Sequence, residues 1–105
     1  MANWKTRTLT TLRKHLAQGT VQFTEKAKNE LAALDLYELD AVEIMSDLTA
    51  GDLVDRIQST SSGEPLYVFK TQVDDRRIYI KFALRNFCDV ISFHPDSGEE
   101  NDGKE

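Results

Sequence analysis

The sequence has little of what holds small secreted domains together, because its 105 residues include one cysteine, Cys88. One thiol cannot form an internal disulfide and is too few for a zinc cluster, so a cytoplasmic location is expected. Glycine and proline are scarce, at 5 and 2 residues, which excludes collagen-like and most low-complexity chains. No apolar run approaches the ~20 residues of a membrane span. The N-terminal residues also lack the apolar segment of a secretion signal. We therefore expect no membrane partner.

The composition that is present, 40% hydrophobic and 30% charged, is typical of a folded protein. A chain of this length has room for one hydrophobic core. We predict a single domain over residues 1–95. Residues 96–105 are polar and acidic without an apolar anchor, and this pattern predicts a disordered tail.

The net charge of −5 argues against a nucleic-acid partner, because phosphate binding depends on Lys and Arg. The charge is unevenly distributed, however. Most of the acids fall in residues 38–55, which contain no Lys or Arg, and in residues 96–105. The other two segments, 1–37 and 56–95, are net positive. Two interpretations stay open: a local basic surface for an anionic partner, or acids and bases that solvate different faces.

Helical spacing dominates the first half of the chain. Apolar residues three and four apart precede Gly19, a common helix terminator, which predicts a first helix ending there. Thr24 is a good N-cap for a second helix, and the segment from Glu38 to about Leu48 predicts a third. The predicted buried positions of the three helices are, in order, Leu9, Leu12, Leu16; Ala27, Leu31, Leu34; and Leu39, Val42, Met45, Leu48.

Strand spacing dominates the second half. Residues 66–73, 77–84 and 88–94 are rich in β-branched and aromatic residues or alternate in polarity, which predicts three strands. The tight connection at 74–76 predicts a hairpin. Residues 53–58 fit either an edge strand or a helical turn. The result is an α+β fold in which N-terminal helices pack on one face of a C-terminal antiparallel meander.

Alternation in the last two strands predicts which residues lie on the face away from the helices. In each strand the apolar set is expected to face inward and the polar set outward. Lys70 joins the outer set if its strand turns Phe69 inward. A solvated outer face is also ordinary for an antiparallel sheet, so this pattern alone leaves function open. The expected inward residues are Ile78, Ile80, Phe82, Ile91 and Phe93, and the outward ones are Tyr79, Lys81, Ser92 and His94.

His94 is the sharpest candidate for chemistry, because histidine is the side chain type that exchanges protons near neutral pH. An exposed surface histidine is the alternative interpretation. The sequence has no metal-ligand spacing, Gly-rich phosphate loop or nucleophile elbow. We therefore predict no metal and no cofactor, and we expect Cys88 to be a buried strand residue.

Five segments, taken in order, carry a resemblance to a known family: Leu12-Arg13-Lys14, Gly19-Thr20-Val21, Leu48-Thr49-Ala50-Gly51-Asp52, Ile78-Tyr79-Ile80-Lys81 and Val90-Ile91-Ser92-Phe93-His94. On these segments, across residues 9–95, the chain resembles the MqsR family of bacterial toxins, which look like RelE-type ribonucleases. The resemblance implies a RelE-like fold and a cytoplasmic endoribonuclease that cuts messenger RNA. It also implies a cognate antitoxin, commonly with a zinc-binding domain and a helix-turn-helix domain.

By this resemblance Tyr79 occupies the place of a catalytic tyrosine, and His94 that of a basic residue in the last strand. Two positions depart from the family pattern. Asp55 stands where the family has a lysine, and Leu66 lies in the segment where it has a glutamine. We predict catalysis by His94, Tyr79 and Lys81, with RNA phosphate bound by Arg56, Lys70 and Arg77. The alternative is a non-catalytic protein-interaction module of the same fold.

Overall fold

A computed structural model describes residues 3–96. The first helix, α1, spans Trp4–Gln18. It begins where the Asn3 side chain accepts a hydrogen bond from the Lys5 amide at 2.9 Å. It ends at Gly19, whose φ of 75° lies in the left-handed region that suits a glycine C-cap. The predicted end of the first helix is confirmed.

The second helix, α2, spans Glu25–Ala33 and begins at the predicted N-cap, Thr24. The Thr24 hydroxyl accepts a hydrogen bond from the Ala27 amide at 3.1 Å, and Glu25 places a negative charge in the first turn. Ala27 and Leu31, one helical turn apart, are buried. The side of α2 predicted to be apolar therefore packs into the core.

The third helix, α3, spans Glu38–Ser46. Its buried residues are Ala41 and Met45, four apart, and the buried Leu48 follows the helix. The prediction that Leu39 belongs to this face is wrong, since Leu39 is 81% exposed. A spacing of strictly three residues drifts around a helix with 3.6 residues per turn, so the first residue of the series lies outside the buried stripe.

The strands are β1 Val21–Phe23, β2 Leu53–Gln58, β3 Pro65–Val73, β4 Arg76–Leu84 and β5 Cys88–Pro95. They form one sheet in the order β1-β5-β4-β3-β2. The three pairs among β2–β5 are antiparallel, so the predicted C-terminal antiparallel meander is confirmed. Strand β1, which the sequence did not predict, pairs with β5 in parallel and makes the sheet mixed. Residues 53–58 form a strand, and a short 3-10 helix, Ala50–Asp52, precedes it.

Strand β1 covers only part of the outer edge of β5. Val21 lies opposite Cys88, and the ladder continues to the amide of Thr24, which donates to the Val90 carbonyl at 3.0 Å. Helix α2 starts at the next residue. The rest of β5 therefore runs beside α2 instead of beside another strand.

A register shift interrupts the pairing of β4 with β5. Lys81 lies opposite Ser92 while the next residue, Phe82, lies opposite Val90, so Ile91 is the extra residue of a bulge. Val90 is fully buried and Ile91 is partly exposed. The prediction that Ile91 faces the helices is therefore wrong. Beyond the bulge the alternation resumes as predicted.

The three helices cover one face of the sheet and form the core with it. The rings of Phe69 and Phe82 stack there with centroids 5.3 Å apart, and Ile80 and Phe93 are fully buried beside them. Burial of each such side chain contributes about 1.5–3 kcal/mol. The predicted α+β arrangement is confirmed. We call the opposite side of the sheet the open face; it carries Lys70, Arg77, Tyr79, Lys81, Ser92 and His94.

None of the helices within residues 3–96 combines the length and apolarity needed to cross a membrane. The same residues contain no group of three His, Cys, Asp or Glu side chains suited to a metal ion. The predicted acidic tail lies outside the described residues, except for Asp96.

Candidate functional site

Three of the predicted site residues form one row across the open face. Lys70 on β3 lies opposite Tyr79 on β4, and Tyr79 lies opposite His94 on β5. Directly opposed residues of antiparallel strands point to the same side, with Cβ atoms about 4.5–5.5 Å apart. The structure therefore brings an ammonium group, a phenol and an imidazole together.

The rings of Tyr79 and His94 stack within this row. Their centroids are 4.8 Å apart and their planes differ by 11°. The His94 Nδ1 atom lies 2.9 Å from the Pro95 carbonyl oxygen. Because a carbonyl only accepts, Nδ1 is the donor, and Nε2 of the neutral ring keeps its lone pair. Nε2 is thus the atom of His94 that can take up a proton.

A carboxylate lies among the cations beside this row. Asp96 places its Oδ1 3.4 Å from Lys70 Nζ and its Oδ2 3.7 Å from Arg77 Nε. Arg77 shares the open face with Tyr79 because the two are separated by two positions on β4. Asp96 belongs to the predicted acidic tail, and no local sequence pattern indicates its contact with residues 70 and 77.

A second row runs parallel to the first. Lys81 lies opposite Ser92 on one side and Val68 on the other, and Val68 lies opposite Asp55 on the edge strand. Within residues 3–96 the Lys81 ammonium makes no ion pair or hydrogen bond. This ammonium therefore has no competing partner among the described residues.

Helix α2 adds a lysine that the sequence analysis missed. Lys26 Nζ donates to the Ser92 Oγ at 2.9 Å and lies 2.8 Å from Glu30 Oε2. The other carboxylate oxygen of Glu30 accepts a hydrogen bond from the Phe93 amide at 2.7 Å, and this bond fixes α2 to the edge of β5. Ser92 is 2% exposed under this contact. The spacing of Lys26 and Glu30 predicts their pairing, but strand alternation cannot place a helical residue beside the sheet.

Arg56 does not belong to this cluster. It lies opposite Tyr67, whose ring packs on Phe82 at 6.2 Å on the helix side of the sheet. The Arg56 guanidinium sits 5.0 Å from the centre of the Trp4 ring. The position predicted to bind phosphate with the others is therefore on the opposite face, and the guanidinium makes a cation–π contact there.

The two positions that depart from the family pattern do face the open side. Asp55 lies opposite Val68, and Leu66 lies opposite Ile57. Leu66 and Val68 are spaced by two residues from each other and from Lys70 along β3, so they share its face. Asp55 lies on the same face because it is directly opposite Val68. The open face is thus basic over β4 and β5 and acidic or apolar toward the edge strand.

A tight ion cluster closes the far end of the open face. Arg85 contacts both oxygens of Glu64, at 3.0 and 2.6 Å, and lies 3.5 Å from Asp89. The hydrogen bond from Arg85 holds the pKa of Glu64 below its usual value. This arginine is occupied by two acids, so we do not assign it to phosphate.

Cys88 cannot act as a nucleophile in the folded chain. It is fully buried, and burial, followed by the charge of Asp89, raises the pKa of its thiol to about 12. A neutral, inaccessible thiol is unreactive. The expectation that Cys88 is a buried strand residue is confirmed.

Comparison with known families gives one result that spans nearly all of these elements. The matching family model is described as motility quorum-sensing regulator, toxin of MqsA, and it covers residues 5–95. That range includes both rows of the open face and Lys26. A search of curated proteins returns no match.

Proposed function

The chain belongs to the MqsR toxin family, and from this premise we propose that it is a metal-independent endoribonuclease that cleaves messenger RNA. Family membership makes it a toxin of a toxin–antitoxin system with an antitoxin partner of the MqsA type. One observation carries the step to chemistry: an imidazole stacked on a phenol, with ammonium and guanidinium groups around it, on a face that the helices leave uncovered.

RNA cleavage without a metal requires a base, a proton donor and positive charge at the phosphate. We assign His94 Nε2 as the base that removes the proton of the 2′-hydroxyl. The 2′-oxygen then attacks the adjacent phosphorus, and the bond to the 5′-oxygen breaks. The products are a 2′,3′-cyclic phosphate and a 5′-hydroxyl end. Solvent supplies the proton of the leaving oxygen, since Tyr79, Lys81 and His94 are all partly exposed.

The other residues of the open face have positioning and electrostatic roles in this proposal. Lys81, which lacks a partner within residues 3–96, stabilises the additional negative charge of the transition state. Tyr79 holds the His94 ring in place by stacking. Lys70 and Arg77 contact a neighbouring phosphate, and the exposed Lys26 extends the basic surface onto α2.

A second candidate function is a non-catalytic interaction module. It is favoured by Asp55 and Leu66, because an acid and an apolar side chain replace two polar family residues on the open face. An anionic side chain in line with Lys81 weakens the local positive field. In this alternative the open face binds a protein and leaves RNA intact.

Cleavage of a long mixed-sequence transcript by the purified chain tests the proposal directly. The reaction is run in EDTA, with and without ribosomes, and the product ends are analysed. We expect 2′,3′-cyclic phosphate ends, and a loss of about 10²–10⁴-fold in rate for His94→Ala. Intact RNA under both conditions, or full activity of His94→Ala, would contradict the assignment.

The antitoxin supplies an independent test in cells. We propose that the partner carries a zinc-binding domain and a helix-turn-helix domain, and that the toxin acts in the bacterial cytoplasm. Expression of the chain should arrest growth, and co-expression of the product of the neighbouring gene should relieve the arrest. Growth arrest by His94→Ala at equal expression would favour the interaction module.

A further inference from the structure

An exposed indole lies beside two cations at the start of α1, on the helix side of the sheet. Trp4 is 37% exposed, although the centre of its ring lies 6.4 Å from that of Tyr67. The Arg56 guanidinium lies 5.0 Å from the centre of the Trp4 ring, and Lys5 Nζ lies at 6.0 Å. Arg56 is exposed as well. Aromatic rings and guanidinium planes are the groups on which proteins stack unpaired nucleobases.

The surface of α1 next to this indole is basic. The helix contains Lys5, Arg7, Arg13 and Lys14 and no Asp or Glu. Arg7 is three residues from Trp4 and therefore its neighbour on the helix surface, and Lys14 lies two helical turns beyond Arg7 on the same side. Both cations are exposed. Within residues 3–96 neither forms an ion pair or a side-chain hydrogen bond.

We call Trp4, Arg7, Lys14 and Arg56 the tryptophan patch. The Arg56 side chain also forms no ion pair within the part of the chain that the structure describes. Cations without an acidic partner bind phosphate with the release of their counterions, which favours association with a nucleic acid.

The composition of the tryptophan patch favours single-stranded RNA over a protein as its ligand. The centre of a protein interface is apolar and depleted in lysine, whereas sites for single strands combine an aromatic side chain with surrounding positive charge. The exposed apolar residues of α3 provide a contrast. Tyr37 and Leu39 are 80% and 81% exposed, but Glu38 and Asp40 beside them would repel phosphate.

We propose that the tryptophan patch is a second RNA-binding site, separate from the open face. One base stacks on the Trp4 and Arg56 side chains, and Arg7 and Lys14 contact the phosphates next to it. Arg56 lies on β2, two strands from β4 and therefore about 10 Å away from it. The patch thus binds nucleotides outside the bond that is cut. This inference rests on the proposed function in taking single-stranded RNA as the ligand.

Trp4 supplies its own probe, because the sequence contains one tryptophan. The ligand is a single-stranded oligonucleotide of about 12 nucleotides with 2′-fluoro sugars, which lacks the attacking hydroxyl. Tryptophan emission of the full chain is recorded during titration with this ligand. Fluorescence anisotropy of a labelled copy then gives the affinity at several salt concentrations for the parent chain, Trp4→Leu and Arg56→Gln.

Arg76→Gln is the matched control for Arg56→Gln, because it removes the same charge from an exposed position. Arg76 lies opposite Val73 on β3, whereas Arg56 lies opposite Tyr67. Six residues of an extended strand separate these two positions of β3, which corresponds to about 20 Å. Circular dichroism confirms folding of each variant, and Arg56→Gln keeps the indole in place.

We expect the oligonucleotide to quench the Trp4 emission of the parent chain and of Arg76→Gln. Trp4→Leu should bind about fivefold to thirtyfold more weakly, the range expected for loss of one stacked base. Arg56→Gln should bind about threefold more weakly and lower the slope of log affinity against log salt by roughly 0.7, the value for one phosphate contact. Arg76→Gln should leave this slope unchanged.

The outcomes distinguish this inference from the proposed function. Cleavage of natural RNA by the parent chain, with no quenching and parent-like affinity of Trp4→Leu, would overturn the second site and leave the ribonuclease assignment intact. Quenching and weaker binding by both variants, with natural RNA left intact, would support the second site and contradict the ribonuclease assignment.

Three further results would overturn the second site. The first is an equal loss in Arg76→Gln, since net charge would then explain the effect. The second is quenching by the purified antitoxin but not by the oligonucleotide, which would assign the tryptophan patch to a protein. The third is absence of oligonucleotide binding by the parent chain, which would also contradict RNA binding by the open face.

Discussion

The two faces of strand β4 are built from alternating residues of one nine-residue segment, yet their surroundings are opposite. Ile78, Ile80 and Phe82 are buried under the helices. Tyr79 and Lys81, between them, lie on the open face with polar neighbours. The difference teaches that stability and proposed chemistry use separate side chains of the same backbone. A substitution on one face should therefore leave the other property almost unchanged.

The largest difference between the two faces is expected for substitutions of the neighbouring residues Phe93 and His94. Phe93 is fully buried, so Phe93→Ala should lower the free energy of unfolding by about 3–5 kcal/mol through lost burial and a cavity. His94→Ala should lower it by less than about 1 kcal/mol. Urea denaturation of both variants measures the difference. Equal destabilisation would mean that His94 also supports the core.

Substitution of Lys81, on the open face, should change the rate of RNA cleavage and leave stability almost unchanged. Lys81→Met keeps the apolar stem and removes the charge, so it should lower the rate of RNA cleavage by about 10²-fold with little change in unfolding free energy. Lys81→Arg should keep part of the activity, because the positive charge remains. Cleavage at saturating RNA, together with thermal denaturation, makes the comparison. Full activity of Lys81→Met would remove this residue from the proposed machinery.

Much of this two-faced arrangement was predictable from local sequence. Helix α1 ends at Gly19 because this residue adopts the left-handed backbone conformation. Helix α2 begins after Thr24 because the Thr24 hydroxyl caps its first turn. The facing of Tyr79 and Lys81 follows from a period of two, since nothing interrupts β4. These features depend on residues close together in the chain.

The features that escaped prediction depend on contacts between distant segments. Strand β1 has three residues and is defined only by its pairing with β5. Because of the bulge at Ile91, Val90 lies in the core where Ile91 was predicted, and this shift is visible only from the pairing with β4. Lys26 and Asp96 reach the open face from a helix and from the end of a strand. Their sequence neighbourhoods carry no sign of residues about 66 and 26 positions away.

Cys88 extends the comparison to pH, because it is a titratable group on the buried face. Its folded pKa is about 12, against 9.0 for an ordinary thiol. Between these values the folded chain holds a proton that the unfolded chain has released, so stability falls as pH rises through this window. At pH 10, one unit above the pKa of the unfolded thiol, the free energy of unfolding should be lower by about 1.4 kcal/mol, because each pH unit in this window is equivalent to that amount. Cys88→Ala should lack this component when urea denaturation is compared at pH 8 and pH 10. Identical pH dependence in both proteins would mean that the thiol is more accessible than its burial indicates.

Arg76 and Arg77 give the smallest and most closely matched comparison. They are adjacent, carry the same charge and are both exposed, but only Arg77 shares the open face and contacts Asp96. Arg77→Ala should weaken binding of a single-stranded oligonucleotide with 2′-fluoro sugars, which cannot be cleaved, by about threefold and lower its salt slope by roughly 0.7, the value for one phosphate contact on a single strand. The loss is modest because Asp96 already neutralises part of the charge in the parent chain. Arg76→Ala changes net charge equally and should leave the slope unchanged. A larger effect from Arg76 would show that RNA follows total charge and not the face on which the charge lies.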